Sequence, residues 1–197
     1  MNRTALYRLS AITLAIVLAG MSASPAAGTA GTMTGQARAV QATTLATAVL
    51  ADTGTLEGAG DARQATLSTG NVPSLLSAEV LRAVTVGWSD QVASEASLSN
   101  LNMAVGGTGI RADFVMARAL AVLNGAPTAS TLIGNLSVNG VPVEVTGSPN
   151  QRIAIPGGQL VINEQRTSAA GTTVNAIHAT VLGVADVVVA TATAGIQ

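Results

Sequence analysis

Thr172–Ile196 reads TTVNAIHATVLGVADVVVATATAGI. Apolar residues recur at every second position, and valine, isoleucine and threonine dominate. Both features suit a pleated, half-buried strand better than a helix. Gly183 interrupts the run, so Thr173–Val181 is predicted to return through Leu182–Ala185 into a last strand, Asp186–Ile196. Along that strand Val188, Ala190, Ala192, Ala194 and Ile196 form one face, and Val187, Val189, Thr191 and Thr193 the other. Two faces this apolar predict a strand inside a sheet, or one whose second face meets a partner.

Working outward, the same pattern recurs about glycine-rich turns. Pro156-Gly157-Gly158-Gln159 is predicted to set Ile155 opposite Leu160, Ile153 opposite Ile162 and Arg152 opposite Asn163. Asn139-Gly140 is a strong two-residue hairpin signal. It places Val138 against Val141 and Leu136 against Val143, with Asn135 meeting Glu144 on the other face. Pro142 cannot donate to a ladder, so this strand is expected at an edge or bonding outward there. Gly106–Gly109, read as a four-residue turn, pairs Val105 with Ile110, Met103 with Ala112 and Leu101 with Phe114. The other face then pairs Asn102 with Asp113 and Ala104 with Arg111.

The first half of the chain is less regular. Ala37–Leu50 reads as one strand, Asp52–Asp61 as a glycine-rich acidic loop and Arg63–Thr69 as a short strand. In Val72–Ala83, Leu76, Glu79, Val80 and Ala83 share a helical face and Ser74 stands at a capping position, so a short helix is expected there. Val84–Trp88 is β-like again. Many strands separated by Gly, Pro and Asn turns predict one all-β domain over residues 36–197, an antiparallel β-sandwich or flattened barrel. Beyond the first residues the aromatics are Trp88 and Phe114, so the core is expected to be aliphatic, with thin sheets lying close together.

The N-terminus has a different composition. Arg3 and Arg8 precede the apolar run Ala11–Gly20, and small residues follow over Ser22–Ala30. This is the pattern of a secretory signal, predicted to be helical and to occupy residues 1–27, with a flexible leader over 28–35. The apolar run is short for a membrane span. Without Arg3 and Arg8 the chain keeps seven arginines, no lysine and ten acids. Such a surface offers no electrostatic footprint for nucleic acid or anionic lipid, and no membrane partner is expected once the leader is cleaved. The absence of cysteine rules out disulfides, thiolate metal sites and a thiol nucleophile.

Gly35–Val40, Ile110–Val115, Gly134–Val145, Leu160–Gln165, Val174–His178 and Ala185–Ala190 together resemble the choice-of-anchor P family of bacterial extracellular proteins. The resemblance spans nearly the whole chain after the leader. It implies a secreted, all-β surface domain of unassigned activity, and it carries over no catalytic residue. The family's members differ in the C-terminal device that holds them to the cell. Here the chain stops at Gln197, directly after the last predicted strand, and the expectation is that it lacks a sorting motif, an apolar span and a basic tail.

Few residues offer chemistry. His178 is the single histidine, and counted alternately it shares a face with Val174, Ala176, Thr180 and Leu182, as a packed or surface side chain would. There is no Gly-x-Ser-x-Gly elbow for hydrolysis. Asn163-Glu164-Gln165 brings to mind the amide crosslinks of surface adhesins, but that chemistry needs a lysine. A hydrogen-bonded strand face with Glu164 near Gln151 is expected instead. Asp52, Glu57 and Asp61 are spaced too widely for a calcium loop. Gly106–Gly109 lacks the lysine and helix of a phosphate cradle. Trp88, expected in the core, makes a poor sugar platform. No catalytic, cofactor-binding or metal-binding residue is therefore assigned. The expected function is non-catalytic: a secreted structural or adhesive domain. One alternative is a filament or matrix subunit that self-associates by lending Gly28–Leu50 to a neighbour's sheet. A secreted hydrolase or a glycan-binding module is more remote.

Overall fold

The computed structural model describes residues 32–197, so the predicted signal lies outside the described residues. The chain starts in one sheet, crosses to a second and returns to the first. β1 (Met33–Thr43) and β2 (Thr47–Asp52) form an opening hairpin. Then come β3 (Ala62–Val72), β4 (Leu76–Gly87), β5 (Gln91–Val105), β6 (Thr108–Val122), β7 (Thr128–Gly134), β8 (Ser137–Val138) and β9 (Val141–Pro142). β10 (Gln151–Ile155), β11 (Gly158–Ser168), β12 (Gly171–Val181) and β13 (Ala185–Ile196) complete the first sheet. Its order is β10-β11-β12-β13-β1-β2. The second runs β3-β4-β5-β6-β8-β9, with β7 also paired to β6. All pairings are antiparallel. The sheets stack as a sandwich, with β1 over β4 and β5, β13 over β5 and β6, and β12 over β6 and β7. The described residues form a compact unit with their own core.

Several sequence expectations need correction. Met33–Gly35, predicted to be leader, belongs to β1 and pairs with Ala194–Ile196. The single strand expected over Ala37–Leu50 is a hairpin that turns at Thr44–Ala46. Val72–Ala83 contains no helix; Pro73-Ser74-Leu75 turns β3 into β4, with Ser74 at φ 62°. The Gly106 and Gly157 hairpins close through two residues, Gly106-Gly107 and Pro156-Gly157, rather than four. Val105 therefore meets Thr108 and Met103 meets Ile110, while Ile155 meets Gly158 and Ile153 meets Leu160. Each register moves by two positions, which keeps the residues next to the turns on their expected faces. Farther out Phe114 lies opposite Ser99 rather than Leu101, Asn102 opposite Arg111 rather than Asp113, and Arg152 opposite Val161 rather than Asn163. The Asn139-Gly140 hairpin has the expected register, Val138 opposite Val141, and Pro142 lies in the terminal strand β9.

One feature bends both sheets. In the first, the ladder skips Ala39 against Ala51, Ala39 against Ala190, Ala176 against Ala190 and Asn163 against Ala176. These residues form a line running across the strands. Ala51, Ala190 and Asn163 on it have left-handed backbones, with φ of 48°, 53° and 53°. In the second sheet Val80, Asn100 and Asn135 have φ of 49°, 51° and 52°, and the ladder skips Ser68 against Val80 and Asn100 against Asp113. At each crossing the alternation of faces moves by one residue. In β13 the core-facing set is Val187 and Val189, then Ala190, Ala192 and Ala194, so Val188 lies on the outer face, contrary to the strict alternation expected from sequence. The helix expected at Val72–Ala83 has the same cause. Of the expected helical face, Leu76 and Ala83 are buried, while Glu79 and Val80 are the two consecutive exposed residues at which the faces shift, so no strict alternation marks the strand.

Among the described residues the core holds no aromatic side chain, and seventeen of its thirty-nine buried apolar residues are alanine, so the sheets lie close together. Gly35 shows how close: a Cβ there would stand 2.4 Å from Leu56, 2.6 Å from Thr85 and 2.8 Å from Val92. Trp88 is not in this core but 44% exposed in the β4–β5 turn.

Left-handed backbone costs an L-residue about 1–2 kcal/mol, and asparagine tolerates it best. Among the described residues six of the ten non-glycine residues with positive φ are asparagine, while Val80 is β-branched and 65% exposed. Val80→Asn is therefore expected to stabilise the domain by about 0.5–1 kcal/mol. A lowered urea midpoint would contradict this reading of the bend.

Candidate functional site

The outer face of the first sheet carries the densest polar constellation among the described residues, with His178 at its centre. The shift at Ala176 buries Val174, Ala176, Ile177 and Ala179 and turns His178 outward with Asn175 and Thr180. The expected shared face with Val174 and Ala176 is thereby overturned, while the one with Thr180 stands. Ladder register sets Val161 on one side of His178 and Val188 on the other, and brings acids of both flanking strands within reach.

His178 Nδ1 lies 2.8 Å from Glu164 Oε2 on β11, and Nε2 lies 3.1 Å from Asp186 Oδ2 on β13. Thr180 Oγ1 is 3.2 Å from the same Nε2 and donates to Asp186 Oδ2 at 3.3 Å. Glu164 also accepts from Asn175 Nδ2 at 2.7 Å and from Arg166 Nη2 at 3.2 Å, and Asn175 Oδ1 accepts from Thr191 Oγ1 at 2.8 Å. The Glu164 carboxyl is pushed up by burial, but hydrogen bonds from Asn175, His178 and Arg166 outweigh this and hold it below its ordinary 4.5.

The order Thr180–His178–Glu164 is that of a hydroxyl–imidazole–carboxylate relay. Two features of its surroundings oppose that use. Asp186 occupies the side of Nε2 from which a base would take the hydroxyl proton. The Thr180 backbone is committed to ladders with Gln159 and Asp186, in a strand that offers no pair of free amides to an oxyanion. A shared metal is equally ill placed, because the two carboxylates approach opposite nitrogens of one ring. No group of three or more His, Cys, Asp or Glu residues among those described could hold an ion.

The other candidates are dispersed. Asn163 is buried, donates to Gly147 O at 2.9 Å and accepts from Gln165 Nε2 at 2.8 Å, which anchors the loop before β10. The expected neighbourhood of Glu164 and Gln151 does not form. Gln151 pairs opposite Ile162 and donates to Glu144 O, while Glu164 turns to His178. In the acidic loop Asp61 and Glu57 both pair with Arg63. Asp52 bonds Gln36, Arg38 and the Gly54 amide. Burial pushes the Asp52 carboxyl up, but these bonds prevail and lower it. The Gly109 amide donates to Asn139 Oδ1 at 2.8 Å, which ties two turns together. Sequence reasoning missed Asp186 and Thr180 as partners of His178. A tight Leu182–Val184 turn would signal only that Asp186 pairs with Thr180, already placed on the face of His178. The contact with His178 itself, which pairs with Val188, depends on the register across the strands.

Compared with protein-family models, with curated proteins and with solved structures, the chain has no match in any of the three.

A carboxyl held below its ordinary value stabilises the fold fully above that value, and the contribution is lost as pH falls through the folded value. Glu164 and Asp52 both act this way, so stability is expected to fall below about pH 5. Glu164→Gln is expected to cost about 1 kcal/mol at pH 7 and to make the acid decline shallower. An unchanged acid limb in urea titrations of this variant would remove Glu164 from the account.

Proposed function

We propose that this is a secreted or cell-surface bacterial domain of the choice-of-anchor P type, and that it works as a stable display or adhesive module rather than by turnover. The N-terminal signal pattern and the family resemblance support the address; the sandwich, closed mostly by tight turns, suits display. The observation that carries the non-catalytic part is the engagement of the chain's one histidine. Both its ring nitrogens are partnered by carboxylates, and the hydroxyl beside it is bonded to one of them.

A second reading, assembly into a filament or matrix, has one observation in its favour. β3 is an eleven-residue edge strand, and its one charged residue is Arg63. Long edges with few charges invite pairing with another chain. Lending β1 to a neighbour is harder. That strand is bonded to both β13 and β2, and withdrawing it would uncover Ala37, Ala39, Val40 and Ala42.

Fractionation of an expressing culture is expected to place the protein, shortened at its N-terminus, in the medium or at the cell surface. Full-length protein confined to the cytoplasm would sink the proposal. Purified domain is expected to turn over no ester, peptide or glycoside substrate. Turnover that disappears in His178→Ala would replace display with hydrolysis.

A further inference from the structure

At one end of the sandwich two turns stand side by side: Thr44–Ala46 between β1 and β2, and Leu182–Val184 between β12 and β13. The pairings Thr43 with Thr47, Thr43 with Asp186 and Val181 with Ala185 fix their positions. The turns present large aliphatic side chains to solvent. Leu45 is 106% exposed, Leu182 81% and Val184 54%. Between them lies an open hollow of about 580 Å3, lined by Thr43, Thr44, Leu45, Thr180, Leu182 and Asp186 among others.

Folding gives no reason for these leucines. In the β12–β13 turn the backbone conformation is met by Gly183, at φ 71°, as it is by Gly107, Gly140 and Gly157 in other hairpins, so the turn itself does not require Leu182 or Val184 beside it. A leucine at a turn tip contributes almost no buried area and keeps apolar surface in water. Three such residues gathered at one end mark an interaction surface.

We infer that this end of the domain inserts its leucine-bearing turns into the acyl region of an uncharged lipid surface. Charge narrows the choice of partner. The one ionisable group lining the hollow is an acid, Asp186, and no arginine lines it, so an anionic bilayer gains nothing here. A second copy docked end to end would bring two Asp186 carboxylates together. Shape narrows it further, because paired projecting turns fit a fluid medium that needs no complementary relief, whereas protein partners match surface to surface. The arginine-poor surface that argued against lipid argued only against anionic lipid, since burying aliphatic side chains requires no positive charge. The inference supplies a partner for a surface domain, yet it is read on purified protein and so stands or falls independently of secretion.

The test uses residues 32–197, the compact unit with its own core, floated with phosphatidylcholine vesicles. Binding is expected to saturate with lipid and to be the same at low and high salt. Leu182→Ser is expected to weaken it at least about tenfold, and Leu45→Ser/Leu182→Ser further, because burying one leucine shifts an equilibrium by about that factor or more. Both variants should keep the parent's melting temperature, since the side chains removed are exposed. Three outcomes would overturn the inference: no flotation of the parent domain, flotation that needs phosphatidylglycerol and fades with salt, or lipid-free self-association abolished by the double variant.

Discussion

β13 is hydrogen-bonded along both of its edges, by β12 on one side and by β1 on the other, and the rest of the sandwich depends on that double pairing. As the last described strand, it brings the first, β1, into one sheet with β12. It also sets the line along which that sheet bends, since the skipped pairs at Ala39, Ala176 and Ala190 share one level. The strand holds its place through small side chains. Val187, Val189, Ala192 and Ala194 are wholly buried against the second sheet. A larger residue at the last two would push the sheets apart, because interiors at crystal-like packing density have little slack.

The bend also shapes the chemistry. Without the shift at Ala176, strict alternation would carry His178 to the same face as the buried Val174 and away from Glu164, while Asp186, on the same side of the shift as His178, would move with it. With it, the outer face gains a chain of bonds running from Thr191 through Asn175, Glu164 and His178 to Asp186. The chain crosses β11, β12 and β13 and stitches them together on the solvent side, as the aliphatic residues do on the core side. Such a network, each member bonded to the next, rigidifies a surface and leaves few groups free for a substrate.

How far the sequence was legible depended on the range of the interaction. The β-rich run over Thr173–Val181 and the Asn139-Gly140 turn were local signals, and the strand and the turn are where they were expected, although alternation within the strand breaks at Ala176. The hairpins at Gly106 and Gly157 kept their faces next to the turns but moved in register, because Thr108 and Gly158 extend the strands into what reads as turn, and beyond the shift at Asn100 Phe114 lies opposite Ser99. Left-handed residues other than asparagine carry no local mark. Val80 thus disguised a strand as a helix, and Ala190 reversed the expected faces of Val187 and Val188. The surroundings of His178 depend on register across three strands and on the shift at Ala176, so counting along one strand could not place Glu164 or Asp186 beside it. The exposed leucine at 45 was hidden because one strand was read where a hairpin turns.

Native-state hydrogen exchange on residues 32–197 tests the central pairing most directly. Amides of β1 that bond to β13 and β2 are expected to exchange only with global unfolding, at the same free energy as those of β12 and β13. Exchange of the β1 amides at the rate of the 53–61 loop would show that β1 is not an integral strand, and would contradict the account of the fold and the argument against its donation to a neighbour.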